Sequence, residues 1–260
     1  MSWSAGEVLR ASEAWVSVWF PPDADHVDLG WLEFYVAGGS ATVMRVAPGD
    51  RTAAELAGRV LGELRGRQVD EAFWTVGPGF LPEGTDQVLV GLGARVDRGI
   101  DICAYPLGGE LPGGPLPAAV TARPVQTRED VADYERASNA AWGYRPPSDA
   151  DIDRTFAGLT PGYFAGYWEQ MPAGAGGYTI TGDVARLWGA GVAPAFRGRG
   201  VYRALVRARL AEASGRGATL ALVHAEPTSS PILQRLGFRV YGQRRVLALG
   251  RALAAAGPRP

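Results

Sequence analysis

Residues 185–205 read ARLWGAGVAPAFRGRGVYRAL, and this stretch decides the fold. Leu187, Trp188, Ala190 and Val192 make an apolar run of strand length that Pro194 ends. Arg197-Gly198-Arg199-Gly200 follows as a loop whose backbone amides few side chains crowd. Val201 to Ser214 then has helical periodicity, with Leu205, Val206 and Leu210 on one face. A strand, a glycine loop and a helix start in that order aim unpaired N–H groups and a partial positive charge at one point, which suits a phosphate or pyrophosphate. Arg197 and Arg199 add formal charge.

Two common nucleotide motifs do not fit. A dinucleotide fingerprint wants a third glycine where Arg203 stands. A P-loop wants Gly-Lys-Ser or Gly-Lys-Thr, and the chain contains no lysine.

Val192-Ala193-Pro194, then Arg197-Gly198-Arg199-Gly200, then Leu236-Gly237-Phe238 resembles the coenzyme A signature of the GNAT superfamily of N-acyltransferases. The resemblance spans roughly residues 121–250. It implies an α/β (α+β) fold with a mixed, centrally splayed sheet flanked by helices, and transfer of an acetyl or other short acyl group from coenzyme A to an amine. It implies acetyl-CoA as co-substrate, held by Val192, Arg197, Gly198, Arg199, Gly200, Val201, Tyr202, Arg203 and Ser230. The acceptor it implies is a small molecule or a protein amine. Two departures bear on the chemistry. The family's usual tyrosine, which protonates the leaving thiolate, falls at Leu233, and its usual asparagine falls at Glu226. Glu226 is then the candidate base, provided burial raises its pKa toward neutrality. The alternative is a silent acyl-CoA-binding module.

With 47% apolar and 20% charged residues the 260-residue chain has the profile of a globular protein with ample core. Its net charge of −1 sets up no global field toward nucleic acid or an anionic membrane. One cysteine, Cys103, excludes an internal disulfide, and two distant histidines, His26 and His224, do not make a usual zinc site. No membrane span or signal peptide is evident, so the expected location is the cytoplasm. No metal, nucleic-acid or membrane partner is expected.

The N-terminal half echoes the organising stretch. A short helix over 3–15 and an extended Val16–Phe20 precede strands at Trp31–Val36 and Ala41–Val46, joined by a Gly38-Gly39 turn. A helix over Thr52–Arg65 follows, with Thr52 and Glu55 fitting a capping box. A strand at Phe73–Val76, a helix at Thr85–Leu92 and a strand at Ile100–Leu107 complete the half. Val46-Ala47-Pro48 repeats Val192-Ala193-Pro194, and Gly91-Leu92-Gly93 echoes Leu236-Gly237. From this we expect two GNAT-like domains. Residues 1–118 form a degenerate copy without the glycine loop, 119–250 the acyltransferase copy and 251–260 a flexible tail. Pro106–Pro117, two-thirds proline and glycine, is the expected linker. Helices are expected at Thr127–Trp142 and Asp149–Ala157, strands at Tyr163–Gln170 and Gly177–Thr181 with a Pro/Gly turn between, and Ser229 or Ser230 as a cap near the end. The aromatic turn Trp142-Gly143-Tyr144 is a candidate for acceptor contact.

Overall fold

The computed structural model describes residues 3–15, 20–21, 23–67, 69–250 and 253. In chain order the elements are α1 (Ala5–Glu13), β1 (Asp25–Asp28), β2 (Leu32–Ala37), β3 (Ser40–Val46), α2 (Ala53–Gly66), β4 (Glu71–Val76), α3 (Thr85–Gly91) and β5 (Arg95–Pro106). They continue with β6 (Val120–Pro124), α4 (Arg128–Trp142), α5 (Asp149–Ala157), β7 (Tyr163–Trp168), β8 (Met171–Thr181) and β9 (Val184–Val192). A 3₁₀ turn (Pro194–Phe196), α6 (Val201–Gly215), β10 (Leu220–Ala225), α7 (Ser230–Arg235) and β11 (Arg239–Ala248) close the series.

The chain divides into two compact units. The first holds Cys103–His224 and Thr228–Val240, with Trp3 and Ser4; the second holds Ala5–Ile102, Ala225–Pro227 and the chain from Tyr241. This differs from the boundary expected near residue 118. The proline-glycine segment lies wholly inside the first unit, and most of β11 belongs to the second. The reason is long-range pairing: β11 runs antiparallel to β4, from Arg245 opposite Val76 to Ala248 opposite Phe73.

In the first unit the strand order is β5-β10-β9-β8-β7-β6. Neighbours β6 to β9 are antiparallel, whereas β9 and β10 are parallel. Helix α4 buries Val131, Ala132, Tyr134 and Ala137 against Ala165, Tyr167 and Ala175. Helix α6 buries Val201, Ala204, Leu205, Val206 and Leu210. Fully burying one such aliphatic side chain is worth about 1.5–3 kcal/mol, so the apolar stripe of α6 fixes where its N-terminus points.

The PAGAGG segment is strand rather than the expected turn. The turn is instead at Glu169 and Gln170, both at positive φ, and β8 runs through the glycines. A Cβ at Gly166 or Gly174 would come within about 3 Å of Val201 and Leu205. The glycines therefore let α6 lie close on β7 and β8, which outweighs their poor strand propensity.

The second unit has the order β1-β2-β3-β4-β11-β5, with β3 and β4 parallel. Its core joins Leu56, Ala57, Val60, Leu61 and Leu64 of α2 to Leu32, Phe34 and Trp74. The short β1 had no clear sequence signal. The expected extended run at Val16–Phe20 falls, except for Phe20, outside the described residues. So does the expected tail, except for Leu253, which is buried: its N–H donates to Leu249 O at 2.8 Å and its carbonyl accepts from Arg65 Nε at 2.9 Å.

Candidate active site

Strands β9 and β10 pair over three positions only: Leu220 with Val184, Ala221 with Ala185, and Leu222 with Arg186. Beyond that rung β9 runs on to Val192 and β10 to Ala225, so the two parallel strands splay. On its other side β9 stays paired with β8, through Gly174 opposite Val192, with a register shift between Ala175 and Gly177. Ala193 N–H bonds Ala173 O at 2.9 Å. Because hydrogen-bonding direction alternates along an antiparallel pair, the N–H and C=O of Val192 face the β10 side, into the opening. The Val192 carbonyl there accepts from Arg197 Nε at 3.2 Å.

The loop after β9 is built for open amides. The 3₁₀ turn consumes the amides of Phe196 and Arg197, which donate to Ala193 O and Pro194 O. Gly198 (φ +75°) and Gly200 (φ +93°) then take left-handed backbone that side chains disfavour. Gly200 caps α6 without a side-chain hydrogen bond. The first helical hydrogen bond of this turn runs from Ala204 N–H to Gly200 O at 3.0 Å. Among the described residues, the amides of Gly198, Gly200, Val201, Tyr202 and Arg203 donate to no acceptor of their own chain. This is the donor set that an anion at a helix N-terminus requires.

The arginines around it are placed differently from one another. Arg199 lies over the rings of Trp168 (4.9 Å) and Phe196 (5.9 Å). Arg203 donates to Pro115 O at 3.0 Å and Arg207 to Gly114 O, so the proline-glycine segment is fastened along α6. Arg209 is buried and bonds Leu205 O at 2.9 Å and Gly177 O at 3.0 Å. Burial pushes its guanidinium down to about 10. It locks α6 to the edge of the register shift in β8.

The remaining predicted residues fall less neatly. Ser230 is buried, accepts from Gln234 Nε2 at 3.0 Å and lies 3.8 Å from Cys103 Sγ, so its hydroxyl faces inward. Neither serine caps α7: Ser229 holds the N-cap position without a side-chain cap bond. Glu226 lacks the burial expected of a base. Its carboxylate is 43% exposed and pairs with Arg98 at 3.1 Å, and it falls in the second unit while the loop is in the first.

Glu135 on α4 carries no sequence signal of a site, yet it is half-buried. Burial raises its carboxyl pKa, against the hydrogen bond it accepts from Thr155 at 2.8 Å. Around α4 the rings of Tyr134, Tyr163 and Trp188 form a chain with centroids 5.2 and 5.0 Å apart. No periodic signal exposes such a group, because the burial comes from α5 and β7. The turn Trp142-Gly143-Tyr144 does border the opening: Trp142 Nε1 lies 3.4 Å from where a Cβ on Gly191 would sit. Both aromatics are exposed.

Among the described residues no helix is long and apolar enough to cross a membrane, and no group of three or more His, Cys, Asp or Glu is placed to hold a metal ion.

Residues 128–238 match the model of the Acetyltransferase (GNAT) family. The fold over most of the chain is similar to solved structures of low identity. One is a GCN5-related N-acetyltransferase from Kribbella flavida (TM-score 0.60, 20% identity, 86% of this chain and 89% of that one). Another is a GCN5-related N-acetyltransferase from Sphaerobacter thermophilus (TM-score 0.62, 18% identity, 94% and 85%). A third is a tandem GNAT protein from the clavulanic acid biosynthesis pathway (TM-score 0.65, 14% identity, 93% and 86%). No curated protein matches the chain in sequence at a significant level.

Proposed function

We propose that this protein is an acetyl-CoA-dependent N-acyltransferase whose donor site lies between the splayed ends of β9 and β10 and the open start of α6. The observation that carries the reading is the run of unpartnered amides from Gly198 to Arg203, placed next to strands that part after a single short ladder. The diphosphate of the donor rests on those amides, with Arg197, Arg199 and Arg203 around it. The pantetheine arm runs along the edge of β9, where the Val192 N–H faces the gap. Holding the thioester beside the amine supplies most of the catalysis such a reaction needs, through orientation and a polarised carbonyl.

The acceptor enters beside the exposed Trp142 and Tyr144, and it is an amine on a small molecule or a protein. The second unit we read as a degenerate copy of the same fold. Its β3-α2-β4-α3-β5 repeats β9-α6-β10-α7-β11 in order, with the parallel strand pair in the same place. The net charge of −1 supports an enzyme of the cytoplasm with no nucleic-acid or membrane partner.

Thermal unfolding with acetyl-CoA tests the donor site. At about 100 times Kd the stability gain is about 2.7 kcal/mol. Thiol release across a panel of amines tests the transfer. Binding without release from any amine reduces the protein to a carrier of acyl-CoA, and no binding removes the reading altogether.

A further inference from the structure

Resting on that donor site, we propose that residues 112–117 form an autoinhibitory strap: they lie along the first turns of α6 where the nucleotide end of the donor would pass, and acetyl-CoA seats fully only after they lift.

The segment reads Pro112-Gly113-Gly114-Pro115-Leu116-Pro117. Its three prolines have no N–H, so the run is rich in carbonyl acceptors and poor in donors. Gly113 (φ +89°) and Gly114 (φ +60°) take left-handed backbone, and the turn they make brings carbonyls toward α6. Two guanidinium groups collect three of them. Arg203 donates to Pro115 O at 3.0 Å, and Arg207 donates to Pro112 O at 3.4 Å and to Gly114 O. To this pair of arginines the cluster of oxygens stands in for a phosphate.

The strap also reaches the cup of open amides. A Cβ on Gly200 would sit 3.4 Å from Pro117 Cδ, so the proline ring rests against the residue that caps α6. One on Gly113 would meet Arg203 Cδ and Leu236 Cδ2 at 2.8 Å, which seats Gly113 tightly between α6 and the residue that ends α7. Whatever continues from a diphosphate on the Gly198–Arg203 amides past Gly200 along α6 therefore meets this segment. Its near end is anchored away from the cup, where Glu110 O accepts from Tyr105 Oη at 2.7 Å.

Arg203 marks the exchange. Its Nε is buried and makes no hydrogen bond, while the other end of the same guanidinium holds Pro115 O. A buried donor left unmatched is unfavourable. A phosphate oxygen carries the charge that a carbonyl lacks, so it draws the guanidinium away from the strap. Arg207 stands one turn further along α6 and touches only the strap, so its bonds oppose the donor.

Titration calorimetry on the full chain compares wild type, Arg207→Ala and the double variant Pro115→Gly with Pro117→Gly. Each is titrated with acetyl-CoA and with S-acetyl-4′-phosphopantetheine, which keeps the thioester arm and one phosphate but has no nucleotide. Arg207→Ala removes a fastening and binds acetyl-CoA about ten-fold more tightly. The glycine pair gives the lifted strap more freedom and gains about five-fold. Neither changes the affinity for S-acetyl-4′-phosphopantetheine, which ends before the strap. An Arg207→Ala variant that unfolds cooperatively in urea and binds acetyl-CoA no more tightly than wild type overturns the proposal. Where that variant does not fold, the same result for the glycine pair overturns it. So does an equal gain with both ligands, because the segment would then obstruct the cup and not the nucleotide end. If none of the three chains binds either ligand, the donor site falls and the strap with it; if wild type binds and the variants gain nothing, only the strap falls.

Discussion

Helices α2 and α6 each begin a few residues after a Val-Ala-Pro strand end, yet their first turns do opposite things. At α2, Thr52 accepts from Glu55 N–H at 3.3 Å, and Glu55 returns the contact to Thr52 N–H at 2.9 Å, a complete capping box. At α6 the cap is Gly200 at positive φ, with no side-chain bond, and the amides behind it are open. Helices α4 and α5 side with α2: Thr127 with Asp130 and Ser148 with Asp151 form the same reciprocal pair. Among the described residues the chain closes these three helix starts on themselves and leaves the long α6, like the short α3 and α7, without a side-chain cap. A self-capped helix gains local stability; an uncapped one keeps its donors for a ligand.

The largest expected effect comes from erasing that difference. Replacing Gly200→Thr together with Arg203→Glu forces the start of α6 out of its left-handed backbone toward the α2 cap and puts a carboxylate where the diphosphate belongs. Acetyl-CoA affinity falls at least about 100-fold, or roughly 2.8 kcal/mol, measured by titration calorimetry. A double variant that binds as wild type does would show that the amides are not the anion site.

A smaller effect follows from opening the closed helix. Thr52→Ala removes the α2 cap and costs about 1 kcal/mol of stability in urea unfolding, with acetyl-CoA affinity unchanged. A change in affinity in that variant would contradict the assignment of the donor site to α6.

Much of this contrast is legible in the sequence, because both features are local. Thr-x-x-Glu before an apolar run specifies a closed helix start, and Arg-Gly-Arg-Gly after a strand specifies an open one. The splay was implied only by the family resemblance, since pairing that stops at Leu222 depends on register rather than composition. What could not be read is non-local. That β11 seats beside β4, and that Glu226 is exposed against Arg98, depend on partners far along the chain. The glycines of β8 misled for a physical reason: glycine marks a turn as readily as a strand that another helix must approach closely.

The smallest expected effect is in acid, and it too separates the two kinds of helix start. Hydrogen bonds from Thr52 hold the Glu55 carboxyl below its ordinary value, and Arg145 with Ser148 does the same for Asp151. A carboxyl lowered on folding stabilises the folded chain fully above its unfolded pKa, near 4, and that contribution is lost as pH falls through the lowered folded value. The thermal midpoint of the ligand-free protein should therefore be insensitive to these caps from pH 5 to 8 and should decline below about pH 4. Because the Glu55 carboxylate is exposed and that of Asp151 partly so, solvent screening keeps each contribution small. Thr52→Ala makes the decline shallower, since its Glu55 no longer has a cap to lose. The first turn of α6 contains no acidic residue, so its open amides contribute nothing to this slope. If Thr52→Ala and wild type lose stability along the same acid curve, the box at α2 is geometric only, and the contrast between the two helix starts rests on the amides of α6 alone.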